Sequence, residues 1–436
     1  MGSVQDFHLV TAAENLLKNA KKLAAATAPG VDDNEPELRR CVASTAKKIA
    51  FMTAPRVDVV KEDWVTLAEV GAWNIFIEWE AFDFIPLNGY ISIVDLAREL
   101  DAQESLVARI ANLLLATGKL LPGPPVASCS STPPQSPYAN ITIRHSRISP
   151  LYMTSHPVSP LCTVAVGNAM RPFARWPDYF DIYGRCEPPE QRFTPFSFAW
   201  DCPDLEPWEV KAEYPDYASA FARSMQSKEM VGGDTVLVGE EAVYDMAWVG
   251  EEAKVFCNYK PWENWTPTLV DVGGGLGQLL QDVLRDVDGL RPEQCLLQDR
   301  REVIDKAKDN RDGVLAKVVM MEQDFHEEQP LKGGLVYILR RILLDYPDEA
   351  SVNILQHLAD ALPDDNPKAR VLIMEERLLE VPTTQNCLVD VVMLNLGGKL
   401  RNEAMFRELA TAAGLRVVGF HVSHRTSNCV VECAKA

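Results

Sequence analysis

The chain reads as an α/β protein, with a Rossmann-like, doubly wound parallel sheet in its C-terminal part and a helical, winged-helix-like region before it. Three observations lead there. First, Leu269-Val-Asp-Val runs straight into Gly273-Gly-Gly-Leu-Gly277 and then Gln278-Leu-Leu280, the pattern of a buried strand, a glycine turn and a helix start. Second, from Thr266 onward short apolar runs alternate with segments of helical spacing, which implies parallel strands joined by crossover helices. Third, residues from about 6 to 115 carry apolar side chains almost entirely at helical spacing.

The elements follow in order. Phe7 to Ala26 and Pro36 to Met52 read as helices separated by Pro29-Gly30 and an acidic run. Val65 to Glu80 is apolar enough to suggest packing against a second copy of the chain, so a homodimer is expected. Ile91 to Leu100 and Glu104 to Thr117 form a helix-turn-helix pattern ending at Gly118. Residues 121–138 are rich in Pro and Ser and read as a loop and wing, completed by Ile141-Thr-Ile-Arg144. A second helical stretch from Ser159 to about Tyr259 contains Trp176, Tyr179, Phe180, Phe193, Phe196, Phe198 and Trp200, most of them core and the rest walling a pocket for an apolar substrate. Leu415 to His421 and Ser427 to Ala434 read as a closing antiparallel pair. The expected domains are therefore 1–150, 151–262 and 263–436.

Composition narrows the function. The chain has 436 residues, 47% hydrophobic and 24% charged, as a globular enzyme of more than one subdomain has. A net charge of −19 repels nucleic acid and anionic membrane, which sets aside DNA binding by the helix-turn-helix pattern. No apolar run reaches membrane-spanning length, and the N-terminus Met-Gly-Ser-Val-Gln-Asp lacks a signal-peptide pattern, so a cytoplasmic protein is expected. The ten cysteines and seven histidines are dispersed, which suits free thiols in a reducing compartment and no metal.

The chemistry concentrates after residue 266. Asp271, Asp299 and Asp324 close successive strand segments, and acids at such positions suit a ribose diol and an adenine edge. A second stretch, Tyr337-Ile-Leu-Arg-Arg-Ile-Leu-Leu-Asp-Tyr-Pro-Asp348, follows. With Val371 to Glu376 and Gly397-Gly-Lys-Leu-Arg401, these segments resemble the plant- and fungal-type small-molecule O-methyltransferases, which bind S-adenosylmethionine on a class I methyltransferase fold. The resemblance implies a cofactor set of Asp271, Gly273, Gly275, Asp299, Arg300, Asp324, Phe325 and Arg340. It also implies a pocket lined by Met225, Lys228, Leu344, Met393, Asn395 and Leu400, and makes the helical N-terminal region a dimerisation module.

The chain departs from the family's pattern at the reacting centre. Where the family carries a His-Asp-Trp whose histidine takes the substrate's proton, this chain has Leu344-Asp345-Tyr346. The glutamate after Gly-Gly-Lys becomes Leu400, leaving Glu376 as the remaining carboxylate partner. Leucine accepts no proton at any pH, so the family's base mechanism is disabled. Base-less fungal relatives resemble this chain and act as pericyclases on 2-pyridone alkaloids. That resemblance implies a non-methylating pericyclase of Alder-ene or Diels–Alder type, with S-adenosylmethionine bound but not consumed and a polyketide or alkaloid substrate. Arg340 is then the electrophilic group, with His156, Thr235 and Asp345 as further catalytic candidates. The alternatives are O-methylation of an acidic hydroxyl without a protein base, and a silent partner of an active homologue.

Overall fold

A computed structural model describes residues 9–26, 36–124, 136–230, 237–255, 265–309 and 313–436. The chain divides into two compact units, Met1–Thr154 and Ser155–Ala436.

The first unit contains helices Leu9–Ala26, Pro36–Thr53, Arg56–Glu78, Ile93–Glu99 and Glu104–Ala116. Ser92 starts the fourth by accepting the Asp95 amide at 3.0 Å, which satisfies an otherwise orphaned donor. The unit is not wholly helical, contrary to the all-helical expectation. Strands β1 (Ile91–Ser92), β2 (Leu120–Pro122) and β3 (Thr142–His145) form a small antiparallel sheet in the order β1-β3-β2. The β-branched run at 141–143 favours extended backbone, and β3 pairs on both sides. Phe76, Phe82, Ile85, Ile93, Leu96, Leu114 and Ile143 make the core. Thus part of the apolar 65–80 segment is covered within its own unit. The exposed apolar residues of that helix are instead Val57, Val60, Trp64, Val65 and Leu67.

The second unit is built on a seven-stranded sheet. Its strands are β4 (Leu269–Val272), β5 (Cys295–Asp299), β6 (Val319–Glu322), β7 (Val336–Arg340), β8 (Arg370–Glu376), β9 (Leu415–Val422) and β10 (Asn428–Lys435). The order is β6-β5-β4-β7-β8-β10-β9, with β4 to β8 parallel and β10 antiparallel to both neighbours. Chain direction away from β4 reverses between β5 and β7, the place where open α/β sheets bind ligands beyond their strand ends.

Side chains alternate between the two faces. Val270, Val272, Tyr337, Leu339, Val371 and Ile373 join one apolar cluster, whereas Leu269, Val336, Ile338 and Leu372 join the other. A third cluster, made by Phe196, Trp200, Val210, Tyr217, Leu344, Met393, Leu396 and Leu400, lies within this unit too. Among the described residues, no helix is long and apolar enough to cross a membrane and no group of acids, histidines and cysteines could hold a metal ion.

Candidate active site

The glycine turn is held by its neighbours rather than by its own sequence alone. Gly273, Gly275 and Gly277 have φ of +70°, +62° and +86°, a region costly for other residues. The amides of Gly273 and Gly274 both donate to the Gln298 carbonyl, at 2.8 and 3.1 Å, latching the turn onto β5. A Cβ on Gly274 would stand 2.4 Å from the Asp271 carboxyl carbon, so only glycine fits over this fully buried acid. Gly275 donates to Asp299 Oδ2 at 2.8 Å, and the Arg300 amide to Oδ1 at 2.8 Å. Burial still pushes the Asp299 carboxyl above its ordinary range.

Phe325 and Ile342 close on the turn from below, at 3.2 and 2.7 Å from where a Gly273 Cβ would be. Asp324 is exposed and accepts the His326 amide at 2.9 Å. Arg300 is exposed, pairs with Glu302 at 3.2 Å and lies 6.0 Å from the Trp208 ring. A reciprocal amide pair, Gln298 with Gln329 at 2.8 and 2.9 Å, is buried beneath. A sequence scan for acids and glycines passes over it. The turn, the buried Asp271 and the partly open Asp299 and Asp324 fit an adenosyl cofactor with a ribose diol: backbone donors, room only for glycine, and carboxylates as acceptors.

Beyond β7 the backbone is strained. Arg340 ends the strand, half-buried and opposite Met374; Arg341 has φ +55°, held by its amide's bond to the Met374 carbonyl at 3.0 Å. The next turn, Leu343–Asp345, rests on Glu375, whose Oε1 accepts the amides of Ile342 at 3.0 Å and Leu343 at 2.8 Å. Its Oε2 is buried with no hydrogen-bond partner. Burial, with the Asp345 carboxylate adding to it, raises this carboxyl to about 8. The resemblance had singled out Glu376. The structure instead turns Glu376 away to accept the Ser427 hydroxyl at 2.7 Å, and brings Glu375 to the turn. The strand period explains it: Glu375 shares the face of Val371 and Ile373, and Glu376 the other.

The Gly397–Arg401 segment clamps that turn. Lys399 donates its amide to the Leu344 carbonyl at 3.0 Å, and a Gly398 Cβ would stand only 2.0 Å from the same oxygen. Arg401, 1% exposed, donates to the carbonyls of Leu343 at 2.7 Å and Tyr346 at 2.8 Å, and pairs with Asp348. Leu344 and Leu400, which the resemblance sets at the positions of the family's base and its glutamate, pack in one cluster with Phe196, Trp200, Tyr217 and Met393.

The other candidates are dispersed. Asp345 is half-buried and its carbonyl accepts Gln191 Nε2 at 2.8 Å. Asn395 is fully buried as a tie between helices, accepting from Trp176 Nε1 at 2.7 Å and donating to the Asn168 carbonyl at 2.8 Å. His156 accepts the Val158 amide at 3.2 Å. Met225 is half-buried on the Pro215–Met230 helix. The Lys228 side chain and Thr235 lie outside the described residues. A cleft of about 520 Å³, lined by Tyr244, Trp248, Arg370, His421 and Glu432 among others, lies near the opposite end of β8 and includes none of the candidates.

Comparison with known proteins supplies a context for this geometry. The model of the O-methyltransferase domain matches residues 189–416. Over 434 residues the chain is 35% identical to "Methyltransferase cfoD" of Aspergillus candidus, covering 98% of this chain and 99% of that one. Among solved structures, OxaC in complex with sinefungin and meleagrin superposes with a TM-score of 0.77 at 16% identity, over 99% of this chain and 100% of OxaC. A structure described as a pericyclic reaction enzyme superposes with a TM-score of 0.71 at 19% identity, over 98% of this chain and 100% of that one.

Proposed function

The chain belongs to the O-methyltransferase domain family, and we propose that it methylates an acidic hydroxyl, such as an enol or a hydroxypyridone, of a fungal secondary metabolite without a protein base. One observation carries the reading: the cofactor turn is complete while the base position is Leu344, packed against Leu400 in an apolar cluster. S-adenosylmethionine, when bound, supplies a methyl group on a sulfonium. The residues that would hold it are the Gly273–Gly277 turn with its helix N-terminus and Asp271, Asp299, Asp324 and Phe325. The chain's own contribution is positioning and exclusion of water. Arg401, Gly398 and Glu375 fix the Leu343–Asp345 turn, and the apolar cluster keeps the substrate oxygen poorly solvated and so reactive. A substrate that ionises near neutral pH needs no base to remove its proton.

The pericyclase expected from the resemblance is the second reading. Its support is the same apolar cluster, since a cycloaddition removes no proton as bonds form. Methyl transfer is placed first because the relative spanning nearly the whole chain is a methyltransferase. The test is incubation of the protein with S-adenosylmethionine carrying a labelled methyl group and a panel of enols and hydroxypyridones, followed by mass spectrometry. A labelled methyl ether is expected. Absence of label, with isomerisation of a quinone-methide pyridone at unchanged mass, would transfer the assignment to the second reading.

A further inference from the structure

The cleft of about 520 Å³ at the far end of β8 is lined by Arg370 of that strand, by His421 of β9 and Glu432 of β10, and by the 242–248 segment. Strand alternation puts its polar side chains together. Arg370 lies two residues before Leu372, Leu372 pairs with Glu432, and Glu432 pairs with Gly419, two residues before His421. Arg370, Glu432 and His421 therefore share one face of the sheet. A Cβ on Gly419 would stand 2.4 Å from His421 Nε2 and 2.9 Å from Glu432 Oε2, so this glycine leaves the space that both side chains fill.

The polar groups of the cleft are fixed and their charges cancel. Arg370 donates through Nε to Glu432 Oε1 at 2.6 Å, and through Nη1 to the carbonyls of Pro367 at 2.7 Å and Ala369 at 2.9 Å. The two side chains are 19% and 18% exposed. Lys368 and Asp245, the other charged lining residues, are of opposite sign, and Lys368 is paired with Glu252. Tyr244 stays a neutral hydroxyl, because burial, with the Glu432 carboxylate adding to it, raises its phenol above the ordinary range. Its oxygen accepts Trp248 Nε1 at 2.9 Å, and its ring meets His421 edge to face at 4.9 Å, so the three rings form one wall. His421 Nε2 is shut from water, 3.5 Å from Glu432 Oε2 and without a hydrogen bond. Among the described residues, Arg370 Nη2 and Glu432 Oε2 complete no hydrogen bond. A half-buried ion pair gains a fold little, since desolvation offsets its attraction. What this pair provides is a donor and an acceptor held side by side next to an aromatic wall.

We propose that the cleft is a second binding site, for a neutral, planar aromatic lactam. The lactam carbonyl accepts from Arg370 Nη2, its N–H donates to Glu432 Oε2, and its ring lies against Trp248 and Tyr244. Such a ligand brings no charge to a cleft that has none to neutralise, and its adjacent acceptor and donor complement the two open atoms of one ion pair. A lactone of the same shape leaves Glu432 Oε2 without a donor, the costly half of a broken hydrogen bond. The site does not depend on the reaction: Arg370 begins β8, whereas Glu375, which holds the Leu343–Asp345 turn, lies near its other end.

The experiment titrates 2-quinolone and coumarin, which differ by N–H against ring oxygen, into the full chain by ligand-observed NMR, with and without S-adenosylmethionine. The wild type should bind 2-quinolone at least about tenfold more tightly than coumarin, since a site built to hydrogen-bond an N–H rejects the analogue lacking it. Arg370→Met/Glu432→Met removes both charges together and orphans neither; it should bind the two probes alike. Trp248→Ala, which touches neither charge, should weaken 2-quinolone about tenfold and decides the matter if the double variant does not unfold cooperatively in urea. Equal affinity for the two probes in the wild type, no binding of 2-quinolone at about 1 mM, or a preference kept in a folded double variant would each overturn the proposal. So would displacement of 2-quinolone by S-adenosylmethionine, which would seat the probe at the glycine turn, or an undiminished affinity in Trp248→Ala.

Discussion

Glu375 shows how one side chain couples chemistry to stability at this site. One oxygen takes two backbone amides and the other takes nothing, which is the division of labour of a neutral carboxylic acid rather than of a carboxylate. Its carboxyl sits at about 8, above the unfolded value near 4.3. The folded state therefore binds more protons than the unfolded state between those values. The stability this adds is fully present below about 4.3 and lost as pH rises to about 8. Urea unfolding should show that downward slope in the wild type and lose it in Glu375→Gln, which keeps the acceptor and cannot ionise. Glu375→Leu orphans the two amides of Ile342 and Leu343 and should cost roughly 2–6 kcal/mol. An unchanged slope in Glu375→Gln would assign the titration to another group.

At the scale of elements, the Arg56–Glu78 helix presents an apolar stripe left exposed by the described residues. Val57, Val60, Trp64 and Leu67 recur at alternating steps of three and four residues and are 54–71% exposed, whereas Ala72 and Phe76 of the same helix are buried in its own unit. A stripe of that spacing is a seam for another helix, and a second copy of the chain is the expected occupant. Light scattering at micromolar concentration should give about twice the chain mass for the wild type, and Trp64→Glu, which sets a charge on the seam, should give the monomer. A monomeric wild type would assign the stripe to something other than self-association. The composition of 65–80 had pointed to this helix, but the fold spends the later half on the unit's own core and leaves the earlier half outside.

For the molecule as a whole, binding of S-adenosylmethionine is the property most directly tied to the fold. Calorimetry should detect it in the wild type, with Asp299→Ala weakened by roughly 1–3 kcal/mol, because Asp299 is the acid that both braces Gly275 and faces the turn. Undiminished affinity in Asp299→Ala would take that residue out of the cofactor site. The sequence by itself determined the α/β class, the strand-turn-helix at 269–280 and the closing antiparallel pair, because each is written in neighbouring residues: alternation and glycines at a turn. The small sheet of the first unit was half legible, since its third strand was read as a wing and its first was absorbed into a helix. What only the tertiary structure decided involves residues far apart in the chain. It packed Leu344 with Leu400, spent Asn395 on a tie to Trp176, and chose Glu375 over Glu376. Two adjacent glutamates on a strand are chemically alike, and only the register of β8 against its neighbours says which face, and so which turn, each of them meets.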